Sequence, residues 1–250
     1  MIFEEYGKEN QDVVLLLHGG GLAPWNFADA ARALQNDFRV VLPVLDGHAG
    51  SDRNFRSIED NAEEILRFID ETCGGKVLLL GGLSLGAQIV TEILSRRKDA
   101  CAFAIVESAC VIPMKATAAL LKPALALSYP LVKMKWFARL QFRALNIKPS
   151  LFERYFADSK AVSRENMLAF LRANCLYQAK ESLRECRSTV IVAVGSRERS
   201  VMKKSAKTLC DLLPRSRLLF LSGFSHGEWS VNYGKDYAAA LRELVAERLR

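Results

Sequence analysis

Apolar runs that do not alternate with polar residues confine this chain to a narrow set of folds. Val13-Val14-Leu15-Leu16-Leu17, Val77-Leu78-Leu79-Leu80, Ala102-Phe103-Ala104-Ile105-Val106 and Val190-Ile191-Val192-Ala193-Val194 are apolar throughout. Phe38 to Leu42 and Arg217 to Leu221 repeat the pattern with a single arginine each. A strand solvated on one face shows polar residues at every second position. Strands without that alternation are buried on both faces, as in a parallel sheet covered by helices. Helical patterns fill the intervals. Ser57 and Asp60 make a capping box for Ile58 to Thr72. Val201 to Leu213 is stopped by Pro214. Asp236 to Leu249 sets Tyr237, Leu241, Leu244, Val245 and Leu249 on one face. The alternation predicts a doubly wound α/β sheet with right-handed crossovers. At 250 residues and 50% hydrophobic, the chain is long enough for one such domain, and no repeat or linker divides it.

Between the run ending at Leu80 and the helical stretch Ala87 to Leu94 stands Gly82-Leu83-Ser84-Leu85-Gly86. Gly-x-Ser-x-Gly between strand and helix reads as a nucleophile elbow, a sharp turn that holds the serine hydroxyl clear of the sheet. Two rival readings of these glycines fail. In a P-loop, Lys and Ser/Thr would stand where Ala87 and Gln88 are. A dinucleotide fingerprint starting at Gly81 would need glycine where Leu83 is.

A serine hydroxyl needs a base, and the chain has three histidines. His18 opens His18-Gly19-Gly20-Gly21 directly after a strand, resembling a loop whose amides form part of an oxyanion hole. His48 lies in the glycine-rich Asp46-Gly47-His48-Ala49-Gly50. His226 follows the last strand, which suits the order serine, acid, histidine, and is the expected base. The strand Thr189 to Val194 leads into Gly195-Ser196-Arg197-Glu198, making Glu198 the first candidate for the acid that orients the imidazole. Glu107, at the end of another strand, is the reserve.

On these residues the chain resembles the α/β-hydrolase superfamily, in its compact, esterase-like branch. The resemblance rests on His18-Gly19-Gly20-Gly21, Gly47-His48, Gly82 to Gly86, Gly195-x-x-Glu198 and His226, in that order and over almost the whole chain. It implies a mostly parallel eight-stranded sheet, no cofactor, and a helical cap inserted after the sixth strand. The core is then 1–110 and 188–250, with the cap at 111–187. The region before Val13 is short for the family's two leading strands, and Glu198 stands where an aspartate is usual. The implied chemistry is hydrolysis of an ester or thioester with an apolar acyl or aromatic group. Ser84 is the nucleophile, His226 the base and Glu198 the acid. The amides of Leu85 and of Gly20 or Gly21 receive the oxyanion. A C–C hydrolase or lyase with the same triad, and a ligand-binding protein on the same fold, stay open as alternatives.

The formal net charge of +7 is concentrated. From Ser108 to Phe152 there is no Asp or Glu, against Lys115, Lys122, Lys133, Lys135, Arg139, Arg143 and Lys148. Lys135, Arg139 and Arg143 make a basic stripe at helical spacing. A solvated face, a rim steering an anionic or carrier-linked substrate, and peripheral contact with an anionic membrane are the open readings. No motif for nucleic acid accompanies the charge. The six cysteines lack a Cys-x-x-Cys, and they and the three histidines show no metal spacing. Reduced thiols, no signal-like N-terminal segment and no stretch able to span a bilayer give a cytoplasmic expectation.

Overall fold

The apolar runs become the strands of one sheet. A computed structural model describes residues 1–246. Its strands are β1 (Ile2–Tyr6), β2 (Val13–Leu17), β3 (Arg39–Val44), β4 (Val77–Leu83), β5 (Cys101–Glu107), β6 (Thr189–Gly195) and β7 (Ser216–Leu221). They lie in the order β1-β3-β2-β4-β5-β6-β7, with β1 antiparallel to β3 and the remaining pairs parallel. Among the described residues there are therefore seven strands, not the expected eight. The twelve residues before Val13 supply only β1, and Gly7, at a positive φ of 61°, turns the chain directly into β2. The helical insertion consequently follows the fifth strand in chain order.

The helices are α1 (Ala28–Leu34), α2 (Ile58–Thr72), α3 (Leu85–Arg96), α4 (Lys115–Val132), α5 (Lys135–Ala144), α6 (Phe152–Ala161), α7 (Arg164–Leu176), α8 (Ser200–Leu212), α9 (Glu228–Asn232) and α10 (Gly234–Ala246). Side chains alternate across the sheet even though nearly all are apolar. Leu15, Leu17, Leu80, Ala104, Val106, Val190 and Val192 face α2, α3 and α8. Val14, Leu16, Leu79, Phe103, Ile105 and Ile191 face α1 and α10. Both faces are covered, which is why the runs carry no polar positions. The outer strand β7 departs from this. Leu218 and Phe220 on it are 48% and 53% exposed, because it forms the edge of the sheet.

Local signals act as the sequence predicts. Ser57 caps α2, its Oγ accepting from the Asp60 amide at 2.9 Å. The Asp60 carboxylate pairs with Arg53 instead of reaching back, so only half of the box forms. Helix α8 ends two residues before Pro214, and Tyr237, Leu241 and Leu244 bury one face of α10. Leu249, expected on the same face, lies outside the described residues. Between β5 and β6 the chain builds α4 to α7. The sheet reverses its winding where β2 lies between β3 and β4, and a crevice at the C-terminal strand ends belongs there.

Candidate active site

Ser84 occupies the turn from β4 into α3 at φ 53°, ψ −110°. A non-glycine residue at positive φ is strained by ~1–3 kcal/mol and must be held. The Ser84 amide donates to the Glu107 carbonyl at 2.9 Å, and its carbonyl accepts from the Gln88 amide at 2.9 Å. The flanking glycines let three backbone segments meet. A Cβ on Gly82 would lie 2.5 Å from the Gly86 carbonyl, and one on Gly86 only 2.1 Å from the Leu17 oxygen and 2.6 Å from that of His18. Both neighbours of Gly86 are backbone at the end of a central strand and cannot swing away. Gly86→Ala should therefore destabilise the fold by about 3 kcal/mol, the upper range for overpacking, read as a fall in the urea midpoint.

His226 and Glu198 meet across the ends of β6 and β7. His226 Nδ1 lies 2.7 Å from Glu198 Oε2. The other carboxylate oxygen accepts from the Gly195 amide at 2.7 Å and the Ser108 hydroxyl at 2.8 Å. Burial would raise the Glu198 pKa, but the His226 ring, the Gly195 amide and the Ser108 hydroxyl together hold it below the usual value. An ionised carboxylate only accepts, so Nδ1 carries a proton, and in the neutral ring Nε2 then keeps a lone pair. Gly195 is required for the approach, since a Cβ there would sit 2.3 Å from the Phe224 carbonyl.

The other two histidines are structural. His18 is wholly buried, its Nε2 accepting from the Leu45 amide at 3.1 Å and its Nδ1 donating to the Gly19 carbonyl at 2.9 Å. Burial and the neighbouring His48 push its pKa down to about 3. His48, stacked on Phe170 at 4.5 Å between ring centres, is lowered by burial to about 4. Both stay neutral at physiological pH, which leaves His226 as the accessible imidazole.

Ser84 and His226 border one cavity of about 120 Å³, together with Gly20, Leu22, Leu145 and Ile147. Gly20 also approaches Leu85, the residue after the serine, since a Cβ on it would stand 3.5 Å from that of Leu85. Leu85 opens α3, so its amide has no partner within the helix. Gly21 does not border the cavity. Asn26 secures the glycine loop, accepting from the Gly19 amide at 3.1 Å. Larger depressions of about 620 and 660 Å³ lie elsewhere, lined by residues such as Arg56 and Arg172 or Trp25 and Arg154, and contain no serine–histidine pair. Among the described residues no cluster of histidine, cysteine, aspartate and glutamate is arranged to hold a metal ion.

Glu107, the reserve acid, is not paired with His226. Its side chain is fully enclosed at the end of β5, with one oxygen on the Ser230 amide at 3.3 Å and the other without a hydrogen-bond partner. Burial raises its pKa from 4.5 to about 7. Below about pH 4.5 the group is protonated in folded and unfolded chain alike. As the pH rises toward about 7, the unfolded chain ionises while the folded one keeps its proton. Stability is lost over that window, by about 3 kcal/mol for this group. Glu107→Gln should match the wild type at pH 4.5 and exceed it above pH 7 by about that amount, as chemical denaturation at several pH values would measure.

Three contributors were not singled out as site residues from the sequence. Ser108, at a positive φ of 56°, supplies a hydroxyl to Glu198, while Leu145 and Ile147 reach the cavity from the insertion. Comparison with known proteins adds to this geometry. A family model described as "Alpha/beta hydrolase family" matches residues 14–218. No curated protein matches the chain. Among solved structures the fold is similar to a thermophilic esterase from Thermogutta terrifontis, at 18% identity, covering 98% of this chain and 93% of that one, TM-score 0.79. It is also similar to MenH from S. aureus (15% identity, 100% and 98% covered, TM-score 0.79). An enol-lactonase from Burkholderia xenovorans LB400 is a third (15% identity, 98% and 96% covered, TM-score 0.77).

Proposed function

The chain belongs to the alpha/beta hydrolase family, and on that premise we propose that it is a serine hydrolase cleaving a carboxylic ester or thioester with a small apolar acyl group. The observation that carries this reading is the 2.7 Å contact of His226 Nδ1 with a buried, doubly anchored Glu198, beside a cavity that His226 shares with Ser84. Ser84 Oγ attacks the carbonyl carbon while His226 Nε2 takes its proton. The amides of Leu85 and Gly20 receive the oxyanion. Collapse expels the alcohol or thiol, which takes the proton back from His226, and leaves an acyl-enzyme. Water, deprotonated by Nε2, then attacks the acyl carbon. Collapse breaks the bond of that carbon to Ser84 Oγ, which takes the proton back from His226 as the acid leaves.

The cavity supports the substrate class. At about 120 Å³ it is well below the ~300–1,000 Å³ typical for drug-sized ligands. Leu22, Leu83, Leu145, Ile147 and Val231 supply apolar walls and no counter-charge for a phosphate or carboxylate. Two of these belong to residues 111–187, which supports that segment's reading as a cap over the site.

A fluorophosphonate probe and a series of p-nitrophenyl esters test the proposal together. The expected result is one covalent adduct on the peptide containing Ser84, with acetyl and butyryl esters turned over faster than octanoyl or longer ones. Folded protein that neither labels nor turns over any ester would overturn it. Labelling without ester turnover would move the reaction to C–C cleavage by the same residues.

A further inference from the structure

Helix α4 presents to solvent a face that a soluble helix reserves for polar residues. It buries only Leu125 and Val132, while Ala116, Leu120, Pro123, Ala124, Leu127 and Pro130 are exposed. Leu120 is 66% and Leu127 82% exposed. Helix α5 buries Ala138 and Phe142 and turns outward Trp136, 58% exposed, and Leu140, 60% exposed, one turn apart. Large apolar side chains left this open in one segment mark an interaction surface.

The charges around this face fit one occupant. Residues 108–152 contain seven basic and no acidic side chains. Lys135 pairs with Glu153 and Lys148 with Asp29. Lys115, Lys122, Lys133, Arg139 and Arg143 have no carboxylate partner among the described residues. A second copy of the chain would set two such cationic faces against each other, which like-charge repulsion opposes. The exposed polar side chains of α4 are only Lys115, Thr117 and Lys122, which leaves a folded protein partner few directional contacts. A bilayer asks for the combination present: leucine and tryptophan in the headgroup–acyl boundary, with cations at phosphate level beside them.

From this we infer that the outer faces of α4 and α5 dock on an anionic lipid bilayer as an interfacial, non-spanning element. No helix among the described residues is long and apolar enough to cross a membrane. Docking requires neither Ser84 nor His226, so it can be tested apart from catalysis.

Flotation of the full chain with vesicles of phosphatidylcholine alone, or of phosphatidylcholine mixed with phosphatidylglycerol, tests the inference. The chain should float with the anionic vesicles, less so at high salt, and Ser84→Ala should float equally well. Leu127→Glu should weaken partitioning at least about tenfold, and Lys122→Ala and Arg143→Ala about fivefold each. All three sites are exposed, so circular dichroism and turnover of a soluble ester should be unchanged. Trp136 fluorescence should shift to the blue on vesicles, and the shift should vanish in Trp136→Phe. No flotation with anionic vesicles would overturn the inference. So would binding insensitive to Leu127→Glu, or capture by an acidic soluble protein without vesicle binding.

Discussion

Ser84→Ala should lower ester turnover by about 10⁶-fold, with KM little changed and the fluorophosphonate adduct abolished. The size follows from what the hydroxyl does. Without it there is no acyl-enzyme, His226 has no proton to take, and the Glu198 contact orients a base with no partner. The amides of Leu85 and Gly20 still polarise a bound carbonyl, so the residual rate should exceed that of the ester in water. A companion variant separates chemistry from architecture. Ser84 sits at φ 53° in a conformation that glycine adopts freely. Ser84→Gly should be equally inactive but more stable than Ser84→Ala by about 1 kcal/mol. Equal stability of the two would mean the elbow is not strained. Turnover within about tenfold of wild type in either would remove Ser84 from the mechanism.

The same turn explains why much of this architecture could be read from sequence. Its geometry comes from local identities: glycine where a Cβ would strike backbone, a run of apolar residues before it and a helix after it. Gly82 and Gly86 are required by their contacts with each other and with Leu17, and such requirements leave a fixed spacing. The apolar runs from Val13, Val77, Ala102 and Val190 became β2, β4, β5 and β6 because continuous burial is written at every position of a central strand. At the edges the same reasoning fails. The run at Arg217 to Leu221 reads as doubly buried, yet among the described residues no further strand lies beyond β7 and Leu218 and Phe220 stay open. The eighth strand was expected from resemblance, and the described residues before Val13 form β1 alone.

Long-range partnerships were the least legible part of the site. Ser108 reaches Glu198 across ninety positions of sequence because β5 and β6 are neighbours. Nothing in Glu107-Ser108-Ala109 announces it. Leu145 and Ile147 come from a segment whose most visible property was its charge, and that charge says nothing about which side chains turn inward. Choosing between Glu198 and Glu107 as partner for the base likewise needed coordinates. Glu107 ends β5, which pairs with the elbow strand, and Glu198 follows β6, one strand further out, but only Glu198 contacts His226, with its other oxygen held by two donors. Glu107 is enclosed beside Ser230 with an oxygen left unpaired, an environment that keeps a proton on it.

That difference in anchoring makes Glu198→Gln the sharpest test of the acid. The two donors at Oε1, the Gly195 amide and the Ser108 hydroxyl, demand an acceptor there. They fix the glutamine side-chain oxygen at that position and turn its NH₂ toward His226. The NH₂ can only donate, so Nδ1 of the imidazole must accept, and the ring proton moves to Nε2. Nε2–H faces the nucleophile as a donor and cannot take the Ser84 proton. The packing is unchanged, the tautomer is wrong, and kcat should fall about 10⁴-fold. Ser108→Ala in the same background removes one of the two donors and loosens the constraint. The amide can then flip, presenting its oxygen to Nδ1 and its NH₂ toward the Gly195 side. The double variant should therefore recover part of the activity lost in Glu198→Gln, about tenfold if one lost hydrogen bond sets the preference. A single variant that keeps kcat within about tenfold of wild type would mean His226 does not depend on Glu198 for its tautomer. A double variant no faster than the single would mean Ser108 does not fix the orientation of the side chain.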